Sequence, residues 1–203
     1  MLITLYEDNI ADRHLNTITE VLESDGIVLV PTDTLFAFVC SINSHKAARK
    51  LAEVKGKKLE KSNFSIVCNS LSMASKYIKP LSNNQFAFIK SLQTGGFTFV
   101  LKANNQVPKI FLNKKRTIGI RITQKNILNA IIDRLQMPLL VTSVPHENDD
   151  EEIFNNAELI YEKYNSFTDA AVDYGDIAGI PSTVLDMTSD DGFEIIRQGL
   201  GEL

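Results

Sequence analysis

Segments with helical periodicity alternate with short apolar segments along the whole chain, and this alternation constrains the fold more than any other feature. Residues 11–26, ADRHLNTITEVLESDG, carry apolar side chains three to four residues apart and end at a glycine, which predicts an amphipathic helix. Residues 27–30 and 35–40 are almost wholly apolar and predict buried strands. Chains in which helices and strands interleave in this way form α/β domains.

The remaining predicted elements continue the same alternation. Further helices are predicted at residues 43–57, 71–78, 84–92, 126–135 and 153–164. Further strands are predicted at residues 64–68, 95–103, 116–122, 139–142, 170–173, 182–187 and 193–197. The last two strands flank the turn TSDDG and are expected to pair antiparallel, whereas helical crossovers imply parallel neighbours. We therefore predict a single α/β domain over residues 1–203, with helices around a mixed β-sheet.

The composition indicates an ordinary globular chain, with 44% hydrophobic and 23% charged residues. No apolar run approaches the roughly 20 residues of a membrane span, and the N-terminal MLITLYEDNI lacks the basic and apolar regions of a secretory signal. Cys40 and Cys68 lie in apolar strand segments and are expected to be reduced core residues. The histidines form no ligand spacing with them. We expect a cytoplasmic protein without a bound metal.

Charge is unevenly distributed along the chain. The net charge of −4 argues against a protein that coats nucleic acid, but residues 46–61 contain seven Lys or Arg against two glutamates. Residues 109–125 contain basic side chains and no acid, whereas acids concentrate in HENDDEE at residues 146–152. This asymmetry has two interpretations. The basic segments form either a local basic patch within an acidic total or simply a pair of solvated faces.

Polar side chains recur at the ends of predicted strands, although the common glycine-rich phosphate loops, nucleophile elbows and zinc-binding helices are absent from the sequence. They are the hydroxyl residues Thr32, Thr34, Thr98, Ser143, Ser182 and Thr183 and the arginines Arg121 and Arg197. Ligands collect at strand ends in open α/β sheets, and hydroxyls with arginines suit a carboxylate and a phosphate chain. The structural alternatives are an ordinary turn at PTDT and an ion pair between Arg121 and an acid such as Asp33.

Seven segments, in chain order, resemble the motifs of the YrdC/TsaC domain family. They are GIVLVPTDTLFAFVC, KGK, GGFTFVL, TIGIRI, LLVTS, PSTVLDM and IIRQGLG. The resemblance extends from about residue 9 to residue 201. It is strongest to the YciO branch, which has segments similar to NFSIVCNSLS, TFVLKANNQVPK and KKRTIGIRI. It implies the YrdC-like fold, a twisted open mixed β-sheet with flanking helices.

The resemblance also implies a function. Proteins of this family make threonylcarbamoyl-adenylate and pyrophosphate from L-threonine, bicarbonate and ATP with Mg²⁺, and the product serves threonylcarbamoyl modification of an adenosine in tRNA. The family has a large basic concave surface associated with double-stranded RNA and tRNA. Attack of a carbamate oxygen on the α-phosphate needs positioned cations and hydrogen-bond donors more than an acid–base pair. We therefore assign no catalytic residue and expect no tightly bound cofactor.

The family motifs assign roles to residues of this chain by position. Thr32 and Thr34 would line the threonine pocket, and Arg121 would hold the amino acid's carboxylate. The nucleotide and its phosphates would contact Lys55, Lys57, Thr98, Ser143, Ser182 and Arg197. The RNA surface would comprise Lys46, Arg49, Lys50, Lys58, Lys114, Lys115 and Arg116.

The chain departs from the family motifs beside the predicted triphosphate. Lys57 stands where the family has the planar fork of arginine, and Pro145 stands where it has an asparagine donor. Phe36 and Ala37 replace an aromatic–glycine pair. We therefore favour an RNA-binding protein of the YciO type whose cleft binds a nucleotide or small ligand. The alternatives are an active threonylcarbamoyl-adenylate synthase and an interaction domain whose cleft no longer functions.

Overall fold

The computed structural model describes residues 1–6, 10–57, 62, 64–92, 95–145, 155–174, 177–189 and 192–203. The strands of these residues are β1 (Leu2–Thr4), β2 (Val28–Pro31), β3 (Phe36–Ser41), β4 (Ser65–Cys68), β5 (Phe97–Lys102), β6 (Thr117–Ile122), β7 (Leu139–Ser143), β8 (Ala170–Asp173), β9 (Thr183–Asp186) and β10 (Glu194–Arg197). The α-helices are α1 (Asp12–Glu23), α2 (His45–Val54), α3 (Leu71–Ser75), α4 (Asn83–Ser91), α5 (Asn126–Leu135) and α6 (Ala157–Lys163).

All ten strands belong to one sheet, in the order β1-β8-β2-β3-β7-β4-β6-β5-β9-β10. Five of the neighbouring pairs are antiparallel and four are parallel. The predicted mixed α/β architecture is therefore confirmed, and β9 and β10 form the predicted antiparallel hairpin. The sequence did not predict β1, a strand of three residues that pairs parallel with the distant β8.

Helices cover the two faces of the sheet unequally. On one face, α1 and α5 bury residues such as Ile18 and Ile131 against Val28 and Val39. On the other face, the core includes residues of α2, α4 and α6 together with β5, β6 and β9. Along β6, Ile118 and Ile120 belong to this second core, so the side chains that alternate with them point to the first face. The cavity described below opens there.

Helix α2 carries the start of the first basic segment, which is residues 46–61. The Ser44 hydroxyl accepts a hydrogen bond from the Ala47 amide at 3.0 Å and caps the helix. The apolar side of the helix, which includes Leu51, is buried against the sheet. The basic residues therefore lie on the opposite, exposed side of α2.

Two further observations concern the described ranges alone. No helix in them is long and apolar enough to cross a membrane. The same ranges contain no group of three or more His, Cys, Asp or Glu residues that could hold a metal ion. The cytoplasmic location and the single-domain organisation stay predictions.

Both cysteines are expected to resist modification in the folded protein. Cys40 and Cys68 are buried free thiols. Burial, reinforced for Cys40 by the Asp25 carboxylate, raises the pKa of each thiol to about 12. Because the thiolate is the nucleophile, a disulfide reagent at about pH 8 should label neither thiol until guanidinium chloride unfolds the chain. Rapid labelling of the native protein would contradict the burial of these strands.

Candidate functional site

A cavity of about 490 Å³ opens on the sheet face that carries Thr117, Gly119 and Arg121 of β6. These residues line it because side chains alternate between the two faces of a strand. Neighbouring strands contribute alternate residues in the same way, including Thr98 of β5 and Val184 of β9. The volume lies within the range of small-molecule binding sites in proteins.

The floor of the cavity is made of small side chains. A Cβ atom on Gly119 would lie 2.2 Å from the Ser65 hydroxyl and 3.3 Å from the Thr98 methyl group. Glycine at this position therefore lets β4 and β5 place their hydroxyl side chains next to β6. The result is an open floor bordered by hydrogen-bonding groups.

Arg121 is the most buried of the cations that line the cavity. It is 8% exposed, and its Nη2 donates to Asp33 Oδ1 at 2.8 Å. The other oxygen of Asp33 accepts from the Gly96 amide at 2.7 Å, and Gly95 approaches that carboxylate with φ at +99°. A guanidinium has five N–H donors, and this is its only hydrogen bond to the described residues. The ion pair predicted as an alternative therefore exists, and Arg121 also lines the cavity.

The PTDT segment forms a tight turn that is also a cavity wall. The Thr32 hydroxyl donates to the Leu35 carbonyl at 2.6 Å and accepts from the amides of Thr34 and Leu35 at 3.1 and 3.2 Å. Thr32 lines the cavity, whereas Thr34 is 1% exposed and is absent from the lining. The Thr34 hydroxyl lies 3.0 Å from that of Thr32. The segment is thus an ordinary turn, as one interpretation predicted, and it also forms part of the cavity wall, while its role toward a ligand stays a prediction.

Arg197 joins the cavity from the edge of the sheet. Its Nε and Nη2 donate to the Ser182 carbonyl at 3.1 and 2.7 Å, and the Ser182 hydroxyl lies 2.8 Å from that of Thr98. Burial, followed by the positive charge of Arg121, lowers the pKa of Arg197. Two guanidinium groups that repel each other across a cavity create a favourable place for an anion.

Two lysines add positive charge at the cavity wall. Lys55 donates from Nζ to the Ser62 carbonyl at 3.2 Å. Burial, followed by the charge of Lys57, lowers the pKa of Lys55. Lys115, which the sequence analysis assigned to the RNA surface, also lines the cavity. Lys57 is exposed and lies outside the lining.

Of the nine residues predicted to bind the amino acid or the nucleotide, all except Thr34 and Lys57 line this cavity. The seven that line it are Thr32, Lys55, Thr98, Arg121, Ser143, Ser182 and Arg197. The polar residues and the glycine of the lining that were not predicted from the sequence are Ser65, Asn113, Thr117, Gly119, Thr142 and Asp186. The two-residue period from Arg121 would have found Thr117 and Gly119, and the same period from Ser182 would have found Asp186. Ser65 carried no such signal because its place depends on the pairing of β4 with β6.

The two basic segments lie beside each other at this cavity. The ring of His45, at the start of α2, is 5.9 Å from the ring of Phe111, which lies within the second segment, residues 109–125. Each segment also sends one lysine, Lys55 or Lys115, to the cavity wall. The predicted RNA residues Lys46, Arg49, Lys114, Lys115 and Arg116 are exposed, and Lys50 is half-buried. Lys58 lies outside the described residues.

Residues 20–199 match a protein-family model that covers the Sua5, YciO and YrdC proteins and is described as "Telomere recombination". The chain belongs to the Sua5/YciO/YrdC family. It is 30% identical over 200 residues to the uncharacterized Escherichia coli protein YciO, covering 98% of this chain and 95% of that protein. The family predicted from the sequence is therefore confirmed.

Solved structures of this family share the fold. The crystal structure of E. coli YciO matches with a TM-score of 0.90 and 28% identity, covering 100% of this chain and 97% of that one. P. abyssi Sua5 complexed with L-threonine matches with a TM-score of 0.84 at 20% identity, covering 98% of this chain and 57% of that one. At that identity the likeness concerns the fold alone. A threonylcarbamoyl-AMP synthase of Buchnera aphidicola is 30% identical over 105 residues, covering 51% of this chain and 59% of that protein.

Proposed function

We propose that this YciO-like chain binds an anionic small molecule of the nucleotide class in its cleft and double-stranded RNA or tRNA on the adjacent basic surface. One observation carries the proposal, namely the convergence of four cations on one cavity. They are Lys55, Lys115, Arg121 and Arg197. Within the described lining, Asp186 is the one acidic residue.

The chemistry of the cleft suits a carboxylate and phosphate groups. Guanidinium groups bind both anions through paired N–H donors, and Arg121 and Arg197 provide two of them. The hydroxyls of Thr98 and Ser143 supply neutral hydrogen bonds between and beside these charges. Titration calorimetry of the full chain with ATP tests this half of the proposal, and an absence of binding at millimolar ATP would overturn it.

The RNA half of the proposal rests on the position of the basic segments. Lysine and arginine side chains contact phosphates and so hold a duplex without reading its bases. Lys46 and Arg49 on α2 and Lys114 and Arg116 on the neighbouring segment are exposed next to the cleft. Such a surface favours recognition of RNA by its shape.

Binding of duplex RNA is expected to weaken steeply as salt rises. Each phosphate contact releases condensed counterions, so the logarithm of the affinity falls linearly with the logarithm of the salt concentration. Replacing Lys46 and Arg49 together by alanine should weaken binding at low salt and reduce the slope by about 2. Fluorescence anisotropy with a labelled RNA duplex at several salt concentrations measures both effects.

A matched control uses two lysines outside both basic segments. Lys76 and Lys90 are exposed, and their replacement by alanine changes the net charge by the same amount. This control should bind RNA with the wild-type slope. Equal losses in both double variants would indicate a dependence on net charge alone and would remove the basic surface from the proposal.

A second candidate function is threonylcarbamoyl-adenylate synthesis from L-threonine, bicarbonate and ATP. Its support is that seven of the nine residues predicted for threonine and for the nucleotide line one cavity. Against it stand the exposed Lys57 outside the lining and the donor-free Pro145. An assay of pyrophosphate release from ATP in the presence of L-threonine and bicarbonate separates this candidate from the first.

A further inference from the structure

Asp186 is the acidic exception in a cavity otherwise lined by cations and neutral groups. Along β9 and the residue before it, Ser182, Val184 and Asp186 line the cavity. Leu185 alternates with them and is buried in the core. The two-residue period of the strand therefore directs the Asp186 carboxylate to the cavity side of the sheet.

One oxygen of the Asp186 carboxylate accepts hydrogen bonds from described residues and the other does not. Oδ1 accepts hydrogen bonds from the Thr188 amide at 2.9 Å and the Thr188 hydroxyl at 2.7 Å. Oδ2 has no hydrogen-bond partner among the described residues. The ion pairs formed within these residues are Arg121–Asp33 and Arg134–Asp12, so Asp186 pairs with neither Lys55 nor Lys115. Its negative charge stays available to whatever fills the cavity.

The strand register separates Asp186 from the part of the cavity that contains the Arg121 and Arg197 guanidinium groups. Val100 of β5 pairs with Gly119 of β6 on one side and with Asp186 of β9 on the other. Arg121 lies two residues beyond Gly119 along β6. Two strand spacings across and two residues along place Arg121 and Asp186 about 12 Å apart. On β9, Ser182 lies four residues from Asp186, which corresponds to about 13 Å. The backbone of Arg197 lies opposite Val184, but its guanidinium reaches away from Asp186 to the Ser182 carbonyl. Asp186 therefore lies well apart from both guanidinium groups along the cavity.

We infer that Asp186 accepts a hydrogen bond from the nucleoside part of the cleft ligand and thereby selects nucleoside polyphosphates over free polyphosphate. An ionised carboxylate only accepts hydrogen bonds, so it repels phosphate oxygens and favours a hydroxyl or amino donor. The arginine end then receives the anionic groups of the same molecule. This inference rests on the proposed nucleotide-binding function.

The substitution Asp186→Asn tests the inference with little change in shape. The asparagine Oδ1 still accepts from Thr188, while its Nδ2 replaces the free oxygen by a donor. Calorimetry in EDTA, which removes Mg²⁺ bridging, should give ATP binding about 10- to 100-fold weaker, the effect of losing a hydrogen bond to a charged group. Binding of tripolyphosphate should stay equal or become tighter, because a negative charge is removed.

Glu194→Gln is the matched control. Glu194 lies directly opposite Asp186 in the β9–β10 register and is outside the cavity lining. The control therefore removes the same charge from a neighbouring position, and it should bind ATP as the wild type does. An equal loss in both variants would overturn the inference in favour of a general electrostatic effect.

Two ATP analogues locate the donor on the wild-type chain. A loss of affinity with 2′,3′-dideoxy-ATP supports a sugar hydroxyl, and a loss with inosine triphosphate supports the adenine amino group. Wild-type affinity for both analogues, or for ATP in Asp186→Asn, would overturn the inference while the proposed function stands. Failure of both ATP and tripolyphosphate to bind the wild type would instead overturn the proposed function, and this inference with it.

Discussion

Replacing Arg121 by glutamine is expected to abolish binding of L-threonine, used as the probe for a carboxylate ligand, and to lower the free energy of unfolding by about 2–4 kcal/mol. The substitution removes the guanidinium from the cavity and leaves Asp33 without its ion-pair partner. Both residues are largely buried, so water compensates little. The Gly96 amide still donates to Asp33. The loss of stability is therefore smaller than for a buried carboxylate without any partner. Urea unfolding and ligand titration measure the two effects separately.

The double variant Arg121→Gln/Asp33→Asn separates the structural role of the pair from its role in binding. Removing both charges should restore most of the stability, because no unpaired carboxylate remains, and the two substitutions should couple in a double-mutant cycle. Ligand binding should stay lost. Arg134→Gln, which breaks the exposed pair with Asp12, should cost less than about 1 kcal/mol. Wild-type binding of L-threonine by Arg121→Gln would reduce Arg121 to a structural residue.

The sequence predicted the elements of the sheet because their apolar patterns are local. Helix α5 occupies Asn126–Leu135, the range predicted from its period and the following proline. The order of the strands is not local. Strand β4 lies between β7 and β6, and β8 lies between β1 and β2, over separations that no pattern in the chain records. The three-residue β1 depends on such pairing and was missed for that reason.

The candidate site also has one part that local sequence patterns reveal and another part that depends on the order of the strands. Hydroxyls and arginines at strand ends are visible in the sequence, and the family motifs group them, so the part of the cavity that contains the arginines could be predicted. The role of Asp33 could be framed only as an alternative, because its contacts reach β6 and Gly96 from a distant turn. The place of Ser65 beside Gly119 depends on β4 lying next to β6. Residues whose roles depend on strand neighbours required the fold.

Pyrophosphate release from ATP that depends on L-threonine and bicarbonate is expected to be weak or absent in this protein. Two contacts to the nucleotide are lost relative to the family motifs. Lys57 is exposed, beyond the C-terminal end of α2, and lies outside the cavity lining. Pro145 has neither a side-chain donor nor an amide N–H, and its carbonyl accepts from the Tyr164 hydroxyl at 3.5 Å. Together these losses cost roughly 2–5 kcal/mol, or about 30-fold to several thousand-fold in turnover.

The variant Lys57→Arg/Pro145→Asn is expected to raise this activity by more than the two single changes predict. Arginine restores a planar fork that can hold two phosphate oxygens, and asparagine restores a donor at the end of β7. Because both side chains would contact one triphosphate, their effects should couple rather than add. A coupled pyrophosphatase assay with each single variant and the double variant gives the interaction directly. Melting curves for all four proteins control for folding.

The outcomes of this assay divide the two candidate functions. Robust synthesis by the unmodified chain would contradict the expectation and favour the synthase, since the cavity would then complete the triphosphate site without Lys57 or Pro145. Failure of the folded double variant would assign the loss to other departures, and Phe36–Ala37 is the next to restore, because Ala37 lines the cavity opposite Ser143 in the β3–β7 register. Recovery in the double variant would mean that the fold, Arg121 and Arg197 already provide the rest of the site. In that case the difference between a binding cleft and a synthase in this chain lies in two side chains at the triphosphate, with the architecture unchanged.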